Sequence, residues 1–375
     1  MRIPVARPSL GEEEARAASE AVLSHWVTQG PRVAEFEKRF AAYAGAAHAA
    51  AVSSCTTALH LALLTAGVGE GDEVICPSMS YVATANSVMH AKARPVFAEV
   101  EPLTYNLSVS HTESLITSST KAVLLVHQMG LPADIDAFRD LCARRGLKLI
   151  EDAACAAGSA YKGKKIGSHS ELVCFSFHPR KVITTGDGGM VTTGREDYVK
   201  RLKLLRQHGM SVTDAERHGA EKLIFEEHIE IGFNYRMTDI QAAVGIVQLS
   251  KLDRLVEERR RIAQRYRKAF QALDCLRLPA EPEGYFSNYQ SYPVYLKKNS
   301  PVGRDALMQT LWEKGIATKK GIMTAHREPA YRKIFGNLSL PVSEDASDRS
   351  LLLPLYVPMT EEETGRVIDA VLSSF

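Results

Sequence analysis

The chain has 375 residues, 45% of them hydrophobic and 24% charged, with a formal net charge of +2. That length can bury a large core in two or three domains, and the composition is that of an ordinary soluble globular protein. The near-neutral balance gives no electrostatic reason to expect nucleic acid or an anionic membrane as partner; the one dense basic run, Arg259-Arg260-Arg261, follows Glu257 and Glu258 in a helical pattern and reads as a solvated helix face.

Six scattered cysteines (Cys55, Cys76, Cys142, Cys155, Cys174, Cys275) form no CxxC pair and no metal-ligand spacing. Most lie in apolar runs, so the chain reads as a reduced, cytoplasmic protein without a metal. The opening MRIPVARPSLGEEE lacks an apolar signal core, and no stretch is long enough to span a bilayer. Helical periodicity covers residues 12–24 and 33–43. Strand-like runs at 49–53, 73–76, 95–100, 122–126, 148–150 and 172–177 then alternate with helical patterns at 57–66, 82–91 and 135–145. This βαβα rhythm predicts an α/β fold with a mostly parallel central sheet flanked by helices. A long helical pattern follows from about 238 to 273, with a break expected near Ser250, then a strand at 292–296, a helix at 304–314 and a terminal helix at 361–372. The expected division is a large domain over residues 1–250 and a smaller α+β domain over 251–375.

In such sheets ligands bind at the carboxyl ends of strands, which makes five stretches worth reading. Ser53-Ser54-Cys55-Thr56-Thr57 joins a strand to a helix, as an anion site at a helix N-terminus or as a plain N-cap. Pro77-Ser78-Met79-Ser80-Tyr81 follows a strand, and Tyr81 would lie on an aromatic ligand or simply pack. Glu151-Asp152-Ala153-Ala154-Cys155 puts an acid at a strand end, as a site carboxylate for a pyridine nitrogen or as an exposed cap. In VCFSFHPRKVITTGDGGMVTT a single lysine, Lys181, stands between two apolar strands. Desolvating an ammonium there is costly, and a lysine in a dry site gives up its proton easily and can form a Schiff base; a solvated loop lysine is the bland alternative. Gly232 to Asp239 precedes the long helix, with Thr238 or Asp239 as its cap. Asn234 and Arg236 there serve either an anion or the turn.

A phosphate site, an acid for a ring nitrogen, an aromatic cover and a Schiff-base lysine together describe a pocket for pyridoxal 5'-phosphate. The chain closely resembles the DegT/DnrJ/EryC1/StrS family of sugar aminotransferases, of fold-type I. The matching stretches are Gly30-Pro31 with Glu35-Phe36-Glu37, VSSCTTALHLAL, PSMSYVATAN, EDAACAAGSAYKGKKIG, FSFHPRKVITTGDGGM and GFNYRMTDIQAAVGIVQL, in the family's order over roughly residues 5 to 250.

The resemblance implies that Lys181 carries the cofactor and moves the proton. It implies that Asp152 pairs with the pyridine nitrogen, that Tyr81 stacks on the ring, and that Cys55, Thr56 and Ser176 hold the phosphate. Asn234 would reach the phosphate of a neighbouring subunit, so the site would lie at a homodimer interface. The implied reaction takes an amino group from an amino acid, L-glutamate by expectation, through pyridoxamine 5'-phosphate to a nucleotide-linked keto-deoxysugar, at C4 by the HPRK…ITTG form. Cyclitol amination and a non-catalytic cofactor-binding regulator are the alternatives. The chain departs from the family at Cys55, where glycine is frequent, and at Cys155, where His or Gln is frequent beside the ring hydroxyl. It departs again at Gly321–Pro329, where the family's Tyr-x-Pro-Leu-His is absent and His326 either faces the sugar or sits in a surface loop. A dehydratase would carry histidine in place of Lys181. A dinucleotide-binding oxidoreductase would need GxGxxG where Ser53–Thr57 stands.

Overall fold

The computed structural model describes residues 2–212 and 225–375. The large sheet is built from β1 (His48–Val52), β2 (Glu73–Pro77), β3 (Arg94–Ala98), β4 (Thr120–Val126), β5 (Lys148–Asp152), β8 (Leu172–Ser176) and β9 (Gly189–Thr193), in the order β1-β9-β8-β5-β4-β2-β3. Short strands β6 (Ala160–Tyr161) and β7 (Lys164–Lys165) form a separate hairpin. The pairings of β3 with β2, β2 with β4, β4 with β5 and β5 with β8 are parallel. Only β9 runs against the rest, antiparallel to both β8 and β1, because the Lys181 loop returns the chain directly beside the strand it left. The expected mostly parallel sheet is therefore present.

Strand pleating sends alternate residues to opposite faces. Val173, Phe175 and Phe177 enter one core with Phe36 and Phe40 of the helix Pro31–Ala44, while Leu172 and Cys174 enter the other, beneath the helix Cys55–Thr65. The rings of Phe40 and Phe175 lie 4.9 Å apart, and those of Phe36 and Phe177 5.2 Å apart. This aromatic packing, worth about 1 kcal/mol per pair beyond area burial, buttresses the strand that leads into the lysine loop.

The long helix is a single element, Asp239–Phe270, and does not break at Ser250. The Ser250 hydroxyl bonds the Val247 carbonyl within the helix at 2.7 Å, a bond that serine makes without stopping a helix. Leu249, Leu252, Leu255 and Val256 pack in the large core, and Ile262, Ala263, Tyr266 and Phe270 in a second core. The helix thus spans two cores. Thr238 caps it with a capping box to Gln241. Asp239 instead accepts the N–H groups of Gly30, Arg32 and Val33 at 2.8, 3.1 and 3.0 Å, and so caps the helix Pro31–Ala44.

The second core lies under a four-stranded sheet of β10 (Leu276–Arg277), β12 (Tyr292–Leu296), β14 (Ser350–Leu353) and β13 (Lys319–Lys320), in that order. Strand β11 (Tyr285–Phe286) leaves this sheet to pair with β6. The basic run is not a uniform solvated face. Arg259 is buried, Arg260 pairs with Glu281 and stacks on Phe286, and only Arg261 is left to a distant contact with Glu257.

Candidate active site

Asp152 ends β5 and is buried. Its Oδ2 accepts the Thr84 hydroxyl at 2.9 Å and its Oδ1 accepts the Ala154 N–H at 3.1 Å; Thr84 shares a further bond of 2.8 Å with Ser80. Burial pushes the Asp152 carboxyl above its ordinary value, opposed by those two bonds and by the charge of Lys181. A buried carboxylate in that state gains from a cationic partner. The preceding residue, Glu151, points to the other face, where its Oε2 lies 2.8 Å from His127 Nε2. His127 Nδ1 accepts the Ala133 N–H at 3.0 Å, so the bond network assigns the ring proton to Nε2, facing Glu151. Pleating thus separates two adjacent acids into a packing pair and a site carboxylate.

Lys181 is half-buried, and its Nζ donates to Cys155 Sγ at 3.2 Å. Burial alone would lower its amine, but Cys155, which accepts its hydrogen bond, and Asp152 outweigh burial and hold it above the ordinary lysine value. Beside those groups the amine holds its proton more firmly than burial alone would allow. The loop around it is fixed at several points. Thr184 Oγ1 donates to the Phe177 carbonyl at 2.7 Å, the Thr184 N–H donates to Gln248 Oε1 at 3.1 Å, and Gln241 Nε2 donates to the Asp187 carbonyl at 2.8 Å.

The helix Cys55–Thr65 begins beside this cluster. Ser54 caps it by accepting the Thr57 N–H at 3.2 Å, and the Ala58 N–H is taken by the Ser54 carbonyl. The N–H groups of Cys55 and Thr56 have no partner among the described residues, and a helix start with free donors suits an anion. Gly189 packs on this turn. A Cβ there would lie 2.8 Å from the Cys55 nitrogen and would overlap the Ser54 carbonyl. The same Gly189 pairs in register with Ser176, which brings Ser176 to the helix start. Burial, then Asp152, pushes the Cys55 thiol well up, so the side chain is neutral and does not repel a phosphate. These residues would suit pyridoxal phosphate: two free N–H groups and a serine for a phosphate, a buried carboxylate for a ring nitrogen, and a lysine beside Cys155.

The other sequence candidates sit as follows. Tyr81 lies three residues before Thr84 and is 64% exposed. Arg236 bridges to Val52 at the end of β1, and the Ser53 N–H donates to the Tyr235 carbonyl at 2.8 Å. Asn234 bridges to Gln207, is exposed, and makes no hydrogen bond to the Lys181 cluster among the described residues. His326 is buried with both ring nitrogens engaged, Nδ1 at 2.5 Å from Ser78 Oγ and Nε2 at 3.0 Å from Glu344 Oε1. It ties the end of β2 to the helix Pro341–Arg349 and offers no free ring nitrogen to a ligand.

Sequence reading missed Thr84, whose only signal was its position one turn past Tyr81. It also missed a strut from the segment just before β12. Asn288 Nδ2 donates to the Cys155 and Ala157 carbonyls, both at 2.8 Å, and Gln290 Nε2 donates to the Arg180 carbonyl at 2.5 Å. Arg259 holds this segment through the carbonyls of Tyr289, Gln290 and Leu355 at 2.9, 2.7 and 3.1 Å. Burial without a counter-charge lowers its guanidinium to about 9.

Residues 8–372 match the profile of the DegT/DnrJ/EryC1/StrS aminotransferase family. The chain is 37% identical over 372 residues to an uncharacterized protein, MJ1066, of Methanocaldococcus jannaschii, covering 98% of this chain and 96% of that one. It superposes on the aminotransferase TlmJ from Streptoalloteichus hindustanus with a TM-score of 0.91 at 35% identity, covering 99% of each chain. Spr1654 from Streptococcus pneumoniae, in its PMP form, superposes with a TM-score of 0.94 at 27% identity, covering 99% of this chain and 98% of that one, and has also been solved in a PLP form. The chain belongs to the DegT/DnrJ/EryC1/StrS aminotransferase family: it is a fold-type I, pyridoxal-phosphate-dependent aminotransferase.

Proposed function

We propose that the protein moves an amino group from L-glutamate to the C4 ketone of a nucleotide-linked keto-deoxysugar. The observation that carries the reading is the cluster of half-buried Lys181 and Cys155 with the buried Asp152 that ends β5. Pyridoxal phosphate, when bound, supplies an electron-poor ring that makes the proton on the amino-bearing carbon removable. Asp152 would keep a proton on the ring nitrogen. Lys181 Nζ would hold the cofactor between turnovers, and would take up and return the proton at the substrate carbon. The Cys55 and Thr56 N–H groups and Ser176 Oγ would hold the phosphate, Tyr81 would cover the ring, and Cys155 would stand beside the ring hydroxyl. Arg236, half-buried at the end of β1, would face the substrate. The division into a large domain (1–250) and a small domain (251–375) would let the small domain close over the acceptor.

A homodimer with shared sites is supported by the surface around Asn234. Phe225 is 80% and Ile231 91% exposed, and Ile229 is exposed between them. Large apolar side chains left open together mark an interaction face, and Asn234 on the same segment would serve the phosphate site of the neighbouring subunit. Among the described residues no helix is long and apolar enough to cross a membrane.

Spectroscopy of the purified protein tests this reading. A visible cofactor band that shifts on addition of L-glutamate, and is absent in Lys181→Ala, establishes the donor half. Turnover of the shifted protein with 4-keto but not 3-keto nucleotide deoxysugars, read by mass spectrometry, establishes the acceptor. A band with no shift for any amino donor would make the protein a cofactor-binding regulator. Turnover of cyclitol ketones alone would overturn the sugar acceptor.

A further inference from the structure

Among the described residues, Cys155 is the one cysteine with a side-chain amine at hydrogen-bonding distance: Lys181 Nζ lies 3.2 Å from its sulfur. Burial pushes the thiols of Cys76 and Cys142 up to about 12, and those of Cys55 and Cys174 well up, which makes them poor nucleophiles. Cys155 is half-buried, so a molecule as small as hydrogen peroxide can reach it. Both partners are held from behind. Asn288 Nδ2 donates to the Cys155 carbonyl at 2.8 Å, and the Lys181 N–H donates to the His178 carbonyl at 2.8 Å. What remains free to turn is the four-carbon stem of Lys181. Sulfur and amine thus meet on fixed backbone, with a flexible stem to close the gap between them.

We propose that Cys155 and Lys181 form a sulfur–nitrogen cross-link when hydrogen peroxide oxidises the site. The peroxide O–O bond breaks, one oxygen joins the Cys155 sulfur as a sulfenic acid, and the other leaves as water. Lys181 gives its ammonium proton to solvent, and the free amine attacks that sulfur. The S–N bond forms as the S–O bond breaks, and the hydroxide leaves as water with a proton from the amine. Sulfur loses two electrons, and peroxide is reduced to two waters. Two molecules of an added thiol reverse the step, returning both side chains and becoming a disulfide. The cross-link can form whenever the cofactor carries the amino group itself or has left the site, and not while Lys181 holds the cofactor. It takes away the amine that holds the cofactor, so its effect on activity rests on the aminotransferase reading; the bond itself does not.

Peptide mapping by mass spectrometry tests this on the full chain, stripped of cofactor and treated with hydrogen peroxide at mildly alkaline pH. Trypsin should release residues 149–162 joined to residues 181–195, lighter than the two peptides together by two hydrogen atoms. The first peptide holds one cysteine, Cys155, and the second one lysine, Lys181, so the wild-type map identifies the bond without a variant. Dithiothreitol should separate the pair. Cofactor uptake, read by the visible band, should fall by the fraction of molecules joined and return with dithiothreitol. Loading pyridoxal phosphate before the peroxide should suppress the joined peptide. Cys155→Ser should give none, whereas Cys275→Ser should give as much as wild type. Sulfinic or sulfonic acid at Cys155 without the joined peptide overturns the proposal, as does a joined peptide that survives in Cys155→Ser. A visible band in the untreated protein with no joined peptide after peroxide sinks the cross-link and leaves the aminotransferase reading standing; a joined peptide from protein that shows no band does the reverse.

Discussion

Thr84→Val removes a single hydrogen bond to the carboxylate that would serve the ring nitrogen. Thr84 is 2% exposed, and its hydroxyl donates to Asp152 at 2.9 Å. Valine nearly matches threonine in volume, so the main change is the lost hydroxyl. A hydrogen bond to a charged group contributes about 1.5–3 kcal/mol. Its removal raises the Asp152 carboxyl further. Asp152 already sits above its ordinary value through burial. A more basic carboxyl takes a larger share of the proton for itself and leaves the ring nitrogen less fully protonated, and if the whole loss is felt in the transition state, the glutamate-driven step slows by about ten- to 150-fold. Stopped-flow absorbance of the cofactor band after mixing with L-glutamate measures that step directly. Thr84→Ser, which keeps the hydroxyl, should recover most of the rate. A rate for Thr84→Val within about threefold of wild type would refute the reasoning.

Two further outcomes follow from the scaffold. Glu37 is buried against Arg206 and Lys203, and also accepts the Ala51 N–H at 2.9 Å. Burial would raise its carboxyl, but the two cations outweigh burial and hold it below the ordinary value. Its stabilisation is therefore present above the ordinary carboxylate range and lost as pH falls through the depressed value. Glu37→Gln leaves Arg206 buried without a counter-charge and should cost about 3–5 kcal/mol in urea unfolding at neutral pH. The gap to wild type should close as the pH is lowered through the carboxylate range, and a gap independent of pH would contradict the ion-pair account. Gly189→Ala places a methyl 2.8 Å from the Cys55 nitrogen, against backbone that cannot swing aside. The helix start must shift, so cofactor affinity should fall by at least about tenfold while circular dichroism stays native. Unchanged affinity would show that the phosphate does not sit on that turn.

The sequence by itself determined the alternation of strands and helices, since period-2 and period-3.6 patterning are properties of local stretches. It also pointed to the strand ends Ser53–Thr57, Glu151–Cys155 and the Lys181 loop, because a lysine or an acid at such a place is costly enough to stand out. It could not show that the long helix continues through Ser250, because the reason lies in two separate cores that the helix serves in turn. Nor could it separate Arg259 from its two basic neighbours, or His326 from a surface loop. Burial of those side chains depends on carbonyls and hydroxyls far away in the chain. Thr84 and Gln290 likewise meet the site only by tertiary contact. Local patterning places the backbone, whereas the protonation of Asp152 and Lys181 depends on which distant charges and dipoles the packing brings within a few ångströms.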